Sequence, residues 1–180
     1  GVINLDNLIS TTERTWFDVQ VPSYTLPKLE TTSHTAVTVG GGSTFNAPKL
    51  MSMSNRGTSL SIAANGTFNA PLLTGVNAYD EDKTGDSGVV SVSTGATLNV
   101  PGLKTLSNAS LTWAPNRTFN HALTNINGSE IYVVQGATLD LSGVTTYNNT
   151  LTDYRADLTL LSSDGSGSLL DLSGVQTFAS

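Results

Sequence analysis

The 180-residue chain has no cysteine, which excludes disulfides, thiolate nucleophiles and cysteine-ligated metals. Charge is scarce too: only 12% of residues are Asp, Glu, Lys or Arg, against about 25% in a typical globular domain. Eight basic and fourteen acidic residues leave a net charge of −6. Without a basic cluster, nucleic acid is not an expected partner. No apolar run approaches the roughly 18 residues of a membrane-spanning helix, so no such span is expected. The chain has two histidines, His34 and His121. No Ser-His-Asp set, His-rich metal motif or phosphate-binding loop is recognisable around them. Catalysis is therefore not expected.

What is abundant is small and polar. Thr (26), Ser (21), Gly (17) and Asn (15) make up 79 of the 180 residues. These types disfavour helix interiors, through backbone entropy or by hydrogen-bonding their own backbone. A helical bundle is excluded on that ground. Disorder is excluded because Leu, Val, Ile and Phe recur at regular intervals.

The recurrence is a repeat. One phrase returns along the chain: Thr44-Phe45-Asn46-Ala47-Pro48-Lys49-Leu50, Thr67 to Leu73, Thr97 to Leu103, Thr118-Phe119-Asn120, and Thr138 to Val144. Weaker copies begin at Val2, Ser23 and Leu169. The closing apolar residues are Leu8, Leu29, Leu50, Leu73, Leu103, Leu123, Val144 and Val175, at spacings of 21, 21, 23, 30, 20, 21 and 31. The phrase alternates with period 2, as a strand does. A second alternating stretch precedes it, as in Val37-Thr38-Val39, Leu60-Ser61-Ile62 and Ile131-Tyr132-Val133. Turns such as Asn65-Gly66 and Gln135-Gly136 separate the two.

Each unit thus holds at least two short strands and has no room for a helix. Stacking the units pairs each strand with its next copy, in parallel, at about 4.8 Å. The expected fold is all-β: a right-handed parallel β-helix of about eight coils, right-handed by the usual chirality of parallel crossovers. Residues 1–180 form a single domain. With no initiator Met or leader at Gly1 and no polar cap at the end, the chain reads as a piece of a longer protein, expected to be a monomer.

Alternation assigns the faces. Phe45, Ala47, Leu50, Phe68, Ala70, Leu73, Leu98, Val100, Leu103, Leu139, Leu141 and Val144 point inward. So do Val37, Val39, Leu60, Ile62, Val90, Val92, Ile131 and Val133. Trp113 aligns with Ile62 and Val92 as core filler, and His121 falls beside Val100 as a core or corner residue. Outward lie two ladders: Thr44, Thr67, Thr97, Thr118 and Thr138; and Asn46, Asn69, Asn99, Asn120, Asp140 and Asp171. Stacked Asn side chains can hydrogen-bond to one another.

The two long spacings carry inserts at residues 77–88 and 148–157, both between a closing apolar residue and the next strand. Both are expected to leave one corner, about 14 Å apart if three coils separate them. They would flank a groove suited to a sugar chain. Tyr79 and Tyr154 offer flat faces to pyranose C–H groups. Asp82, Glu130 and Arg155 offer charge-assisted hydrogen bonds to hydroxyls. Thr112 and Tyr132 face outward on the floor, and Trp16 is exposed if Phe17, Val19 and Val21 are buried. Asp80, Asp82, Thr84 and Asp86 surround Gly85 like the start of a calcium loop, although the closing bidentate Glu is missing. No cofactor is required; calcium is a candidate at these four residues.

The Thr-x-Asn-x-Pro-x-Leu units resemble those of bacterial secreted right-handed β-helix proteins. These include long surface repeat proteins and a β-helical type of carbohydrate-binding module found beside plant cell-wall hydrolases. The resemblance implies a secreted or cell-surface bacterial module that binds xylan and is attached to a glycoside hydrolase. A surface adhesin or structural segment is the alternative, and a polysaccharide lyase or hydrolase a further one.

Overall fold

A computed structural model describes residues 3–78, 88–149 and 160–179. The protein is all-β, with parallel sheets and no helix among the described residues. From Ser10 to Asn120 each repeat contributes three short strands, one to each of three sheets; beyond it Thr138–Asp140 pairs with Leu169–Asp171 and Thr146–Asn148 with Thr177–Ala179 in two further two-stranded sheets. The seven-stranded sheet runs, in spatial order, Leu161–Asp164, Glu130–Val134, Ala109–Trp113, Gly88–Val92, Ser59–Ile62, Thr35–Val39 and Thr15–Val19. A five-stranded sheet holds the Thr-x-Asn phrases from Ser23–Thr25 to Thr118–Asn120. Another holds Ser10–Thr11, Thr31–Ser33, Ser52–Ser54, Gly75–Asn77 and Thr105–Ser107.

Register equals repeat. Ser23, Thr44, Thr67, Thr97 and Thr118 are successive partners, at offsets of 21, 23, 30 and 21 residues. The 30-residue step leaves the pairing unshifted because its extra length falls wholly between Gly75–Asn77 and Gly88–Val92. The turn between the seven-stranded sheet and the Thr-x-Asn sheet needs a left-handed residue. Gly42 (φ 69°), Asn65 (59°), Gly95 (75°) and Asn116 (59°) supply it, residue types for which that conformation is least costly.

All twenty residues assigned inward by alternation are buried, and so is Trp113 at 5% exposure. Phe45 and Phe68 stack with ring centroids 5.4 Å apart, with Phe17 6.2 Å from Phe45. The third set of strands adds Met53, Val76 and Leu106, and Ile126 and Tyr147 continue that wall. Sequence pattern had not marked these short elements, since three residues such as Ser52-Met53-Ser54 hold a single apolar position. Tyr147 is fully buried and its hydroxyl donates to the Ser129 carbonyl at 3.0 Å. Burial, reinforced by Glu130, pushes that hydroxyl up to about 12.

The outward ladders stop short of their expected length. Asn69 donates to Asn46 at 3.1 Å, Asn99 to Asn69 at 2.8 Å and Asn120 to Asn99 at 2.9 Å. Thr138 and Asp140 do not continue this sheet: Thr138–Asp140 pairs only with Leu169–Asp171. Trp113 lies at the break. Its indole N–H donates to the Thr138 carbonyl at 3.2 Å, and its ring packs on Phe119 at 5.6 Å. Phe119 in turn packs on His121 at 4.3 Å. His121 is the expected corner residue: half-buried, with Nδ1 accepting from the Leu123 N–H at 3.2 Å. Burial lowers its pKa, with Asp140 opposing.

Candidate functional site

The seven-stranded sheet has one outward face. Because the pleat alternates, the residues between its buried Val, Leu and Ile positions stand on this face in two columns. Asp18, Thr38, Ser61, Ser91, Thr112, Tyr132 and Ser162 are successive register partners. The second column begins with Trp16, Ala36 and Ser59 and ends with Val89, Ser110 and Glu130. The first column therefore runs from Asp18 through four hydroxyls to Tyr132, with Trp16 of the second column diagonal to its first hydroxyl, Thr38.

Trp16 marks one end. It is 69% exposed, and its indole N–H donates to Thr38 Oγ1 at 3.1 Å. That bond reaches diagonally across to the neighbouring strand and fixes the ring's orientation. The small side chain of Ala36, its direct partner, leaves the space beside the ring open. Phe17 and Val19 are buried as the exposure of Trp16 required, while Val21 is only half-buried.

Tyr132 marks the other end, five strands away, or about 24 Å at the usual strand spacing. Its hydroxyl donates to Glu130 Oε2 at 3.5 Å. Partial burial raises the phenol's pKa, and the charge and hydrogen bond of Glu130 raise it further. At neutral pH the phenol is a neutral donor held near a carboxylate. Thr112, its partner on the next strand, is exposed.

Four of the residues singled out in the sequence thus share one face: Trp16, Thr112, Glu130 and Tyr132. Tyr79, Asp82, Tyr154 and Arg155, together with Asp80, Thr84 and Asp86 of the candidate calcium loop, lie outside the described residues. Asn77, Gly88 and Asn148, at the bounds of the expected inserts, belong to strands.

The corner from which the inserts depart is described. The N–H groups of Ala78, Asn108, Gly128 and Asn149 bond to the carbonyls of Ser107, Asn127, Asn148 and Ala179, each one repeat on. These are equivalent positions in successive repeats, and the inserts follow Ala78 and Asn149. Gly88, where the first insert rejoins the sheet, has no room for a side chain. A Cβ there would collide with the Thr58 carbonyl oxygen and the Ala78 methyl.

Thr38 is the residue that sequence reasoning left out. Its signal was the alternation of Val37-Thr38-Val39, but its bond to Trp16 depends on cross-strand register. Carboxylates on this face are separated: Asp18 and Glu130 lie on strands five steps apart, and Asp164, on the strand beside Glu130, stands four register positions further along. Asp18 also accepts from Gln20 Nε2 at 2.6 Å. No group of three or more His, Asp or Glu residues able to hold a metal occurs among the described residues. What the face offers chemically is apolar ring surface and hydroxyl hydrogen bonding. No family model matches the chain, and no match to it is found among curated proteins or solved structures.

Proposed function

We propose that the chain is a right-handed parallel β-helix of about eight coils, and that the outward face of its seven-stranded sheet binds a plant cell-wall polysaccharide without cleaving it. Xylan is the glycan favoured by the resemblance. The parallel pairing of each strand with its copy one repeat on supports the architecture. One observation carries the ligand class: Trp16, 69% exposed, is held by a hydrogen bond to Thr38 at the head of a hydroxyl column. An exposed indole costs solvation that only an apolar partner recovers. The C–H face of a pyranose is such a partner, and its hydroxyls suit the Ser and Thr side chains beside it.

On this reading Thr112, Tyr132 and Glu130 contact the far end of the same glycan. Tyr79, Asp82, Tyr154 and Arg155 wall the groove, with calcium at Asp80, Asp82, Thr84 and Asp86 bracing one insert. The module would serve a secreted bacterial protein by raising the local concentration of substrate at an attached glycoside hydrolase.

Affinity electrophoresis in a native gel containing soluble xylan tests the proposal. The intact chain should be retarded relative to a gel without polysaccharide. Trp16→Ala and Tyr132→Ala should each remove most of the retardation. A chain that migrates identically in both gels is instead a spacer or adhesin segment.

A further inference from the structure

Beside Trp16 lies a surface cleft of about 660 Å³, within the range of small-molecule sites at roughly 300–1,000 Å³. Three successive repeats build it. The turn before Thr15–Val19 supplies Glu13 and Arg14, the next repeat supplies His34, and the one after supplies Arg56 and Gly57. Trp16 and Ala36 complete the wall toward the seven-stranded sheet.

Its charge is the reverse of the molecule's. The chain carries −6 overall and has four arginines. Two of them, Arg14 and Arg56, line this one cleft, whose described lining holds one carboxylate, Glu13; Arg56 also makes a further interaction of its own. A guanidinium is a planar fork of donors matched to a carboxylate, with which it forms paired charge-assisted hydrogen bonds.

The corner that presents these groups is pinned. His34 and Asn55 both adopt left-handed backbone, at φ 51° and 74°. Asn55 Nδ2 donates to Ser33 Oγ at 2.8 Å, and Ser33 Oγ shares a hydrogen bond with His34 Nδ1 at 2.9 Å. The other ring nitrogen, Nε2, is left to meet a ligand hydroxyl.

We infer that this cleft holds a carboxylate-bearing sugar ring, a hexuronate unit of an acidic polysaccharide. The apolar face of the ring lies on Trp16, and its carboxylate lies between the guanidinium groups of Arg14 and Arg56. The inference deepens the reading of the aromatic and hydroxyl face and rests on it.

Isothermal titration of the full chain is the test, with a glucuronic-acid-bearing xylo-oligosaccharide and the same compound after reduction of its carboxyl to the alcohol. The acidic form should bind about tenfold more tightly, the difference expected for a paired charge-assisted contact. The preference should shrink as salt screens the charges. The double variant Arg14→Ala/Arg56→Ala should bring the two forms to equal affinity. If that variant fails to fold, Arg14→Lys/Arg56→Lys keeps the charge but loses the fork, and should cut the preference severalfold. Equal binding of both forms by the unaltered chain overturns the hexuronate site while leaving the polysaccharide reading intact. A preference that survives both double variants does the same. If neither form binds, the polysaccharide reading fails and the hexuronate site fails with it.

Discussion

Two regions of the molecule carry the same phrase at the same outward position and solve it differently. In the earlier repeats Asn46, Asn69, Asn99 and Asn120 form a continuous chain, each amide nitrogen after the first donating to the oxygen of the amide before it. In the later repeats the position holds Asp140 and Asp171, which are register partners. Neither bonds to the other. Asp140 Oδ1 accepts from the backbone N–H and hydroxyl of Ser142, at 2.9 and 2.6 Å. Asp171 Oδ1 accepts from the Ser173 N–H at 2.9 Å. An amide is both donor and acceptor, so a column of identical amides satisfies itself between repeats. Ionised carboxylates only accept, so each turns back on its own strand end. One atom in the side chain decides whether the outside of a repeat helps hold it to its neighbour.

The largest effect should come from beneath the amide ladder. Phe45 and Phe68 are fully buried and stacked there, whereas the later repeats carry Leu139 and Leu170 at the corresponding place. Phe68→Ala should cost about 3–5 kcal/mol, as large-to-small core changes do. Urea denaturation measures it; a loss below about 1 kcal/mol would mean that the core there repacks freely.

Converting one solution into the other should have a smaller effect. Asn99→Asp removes the donor to Asn69 and places a charge inside a half-buried column, at a cost of about 1–3 kcal/mol near neutral pH. The penalty should ease in acid, because a protonated carboxyl can donate again. A penalty independent of pH would show that the amide chain contributes little to stability.

Asp140→Asn should do least, and its signature is pH dependence. The hydroxyl and backbone N–H of Ser142 hold the Asp140 carboxyl below its ordinary value of 3.8, with a smaller contribution from His121. A depressed folded-state pKa stabilises above the unfolded value and is lost as pH falls through the folded one. The variant should therefore lose stability less steeply than the parent below about pH 4. Superimposable acid limbs from thermal melts would remove Asp140 as a contributor.

The legible part of this protein is what depends on neighbours in sequence. Alternation placed Phe45, Leu60, Val92 and Ile131 inside and Trp16, Ser61 and Thr112 outside. The spacing of the closing leucines announced the strand register. The third set of strands was not legible, because three residues around one Met53 or Val76 give no period to count. The end of the Asn ladder was not legible either. There Trp113, whose position in the pattern identified it as core, sends its indole N–H to the Thr138 carbonyl three strands of chain later.

Sequence alone determined the repeat, the burial of its apolar positions and the exposure of its hydroxyls, since these follow from period and polarity within one unit. Only the tertiary structure decided which residues of different units meet. Thr38 orients Trp16, Arg14 and Arg56 line one cleft though 42 positions apart, and the amides of Asn69, Asn99 and Asn120 link three repeats. Such meetings depend on register and on the turns at each corner. A pattern of alternating residues specifies which side a group takes, not which group stands beside it.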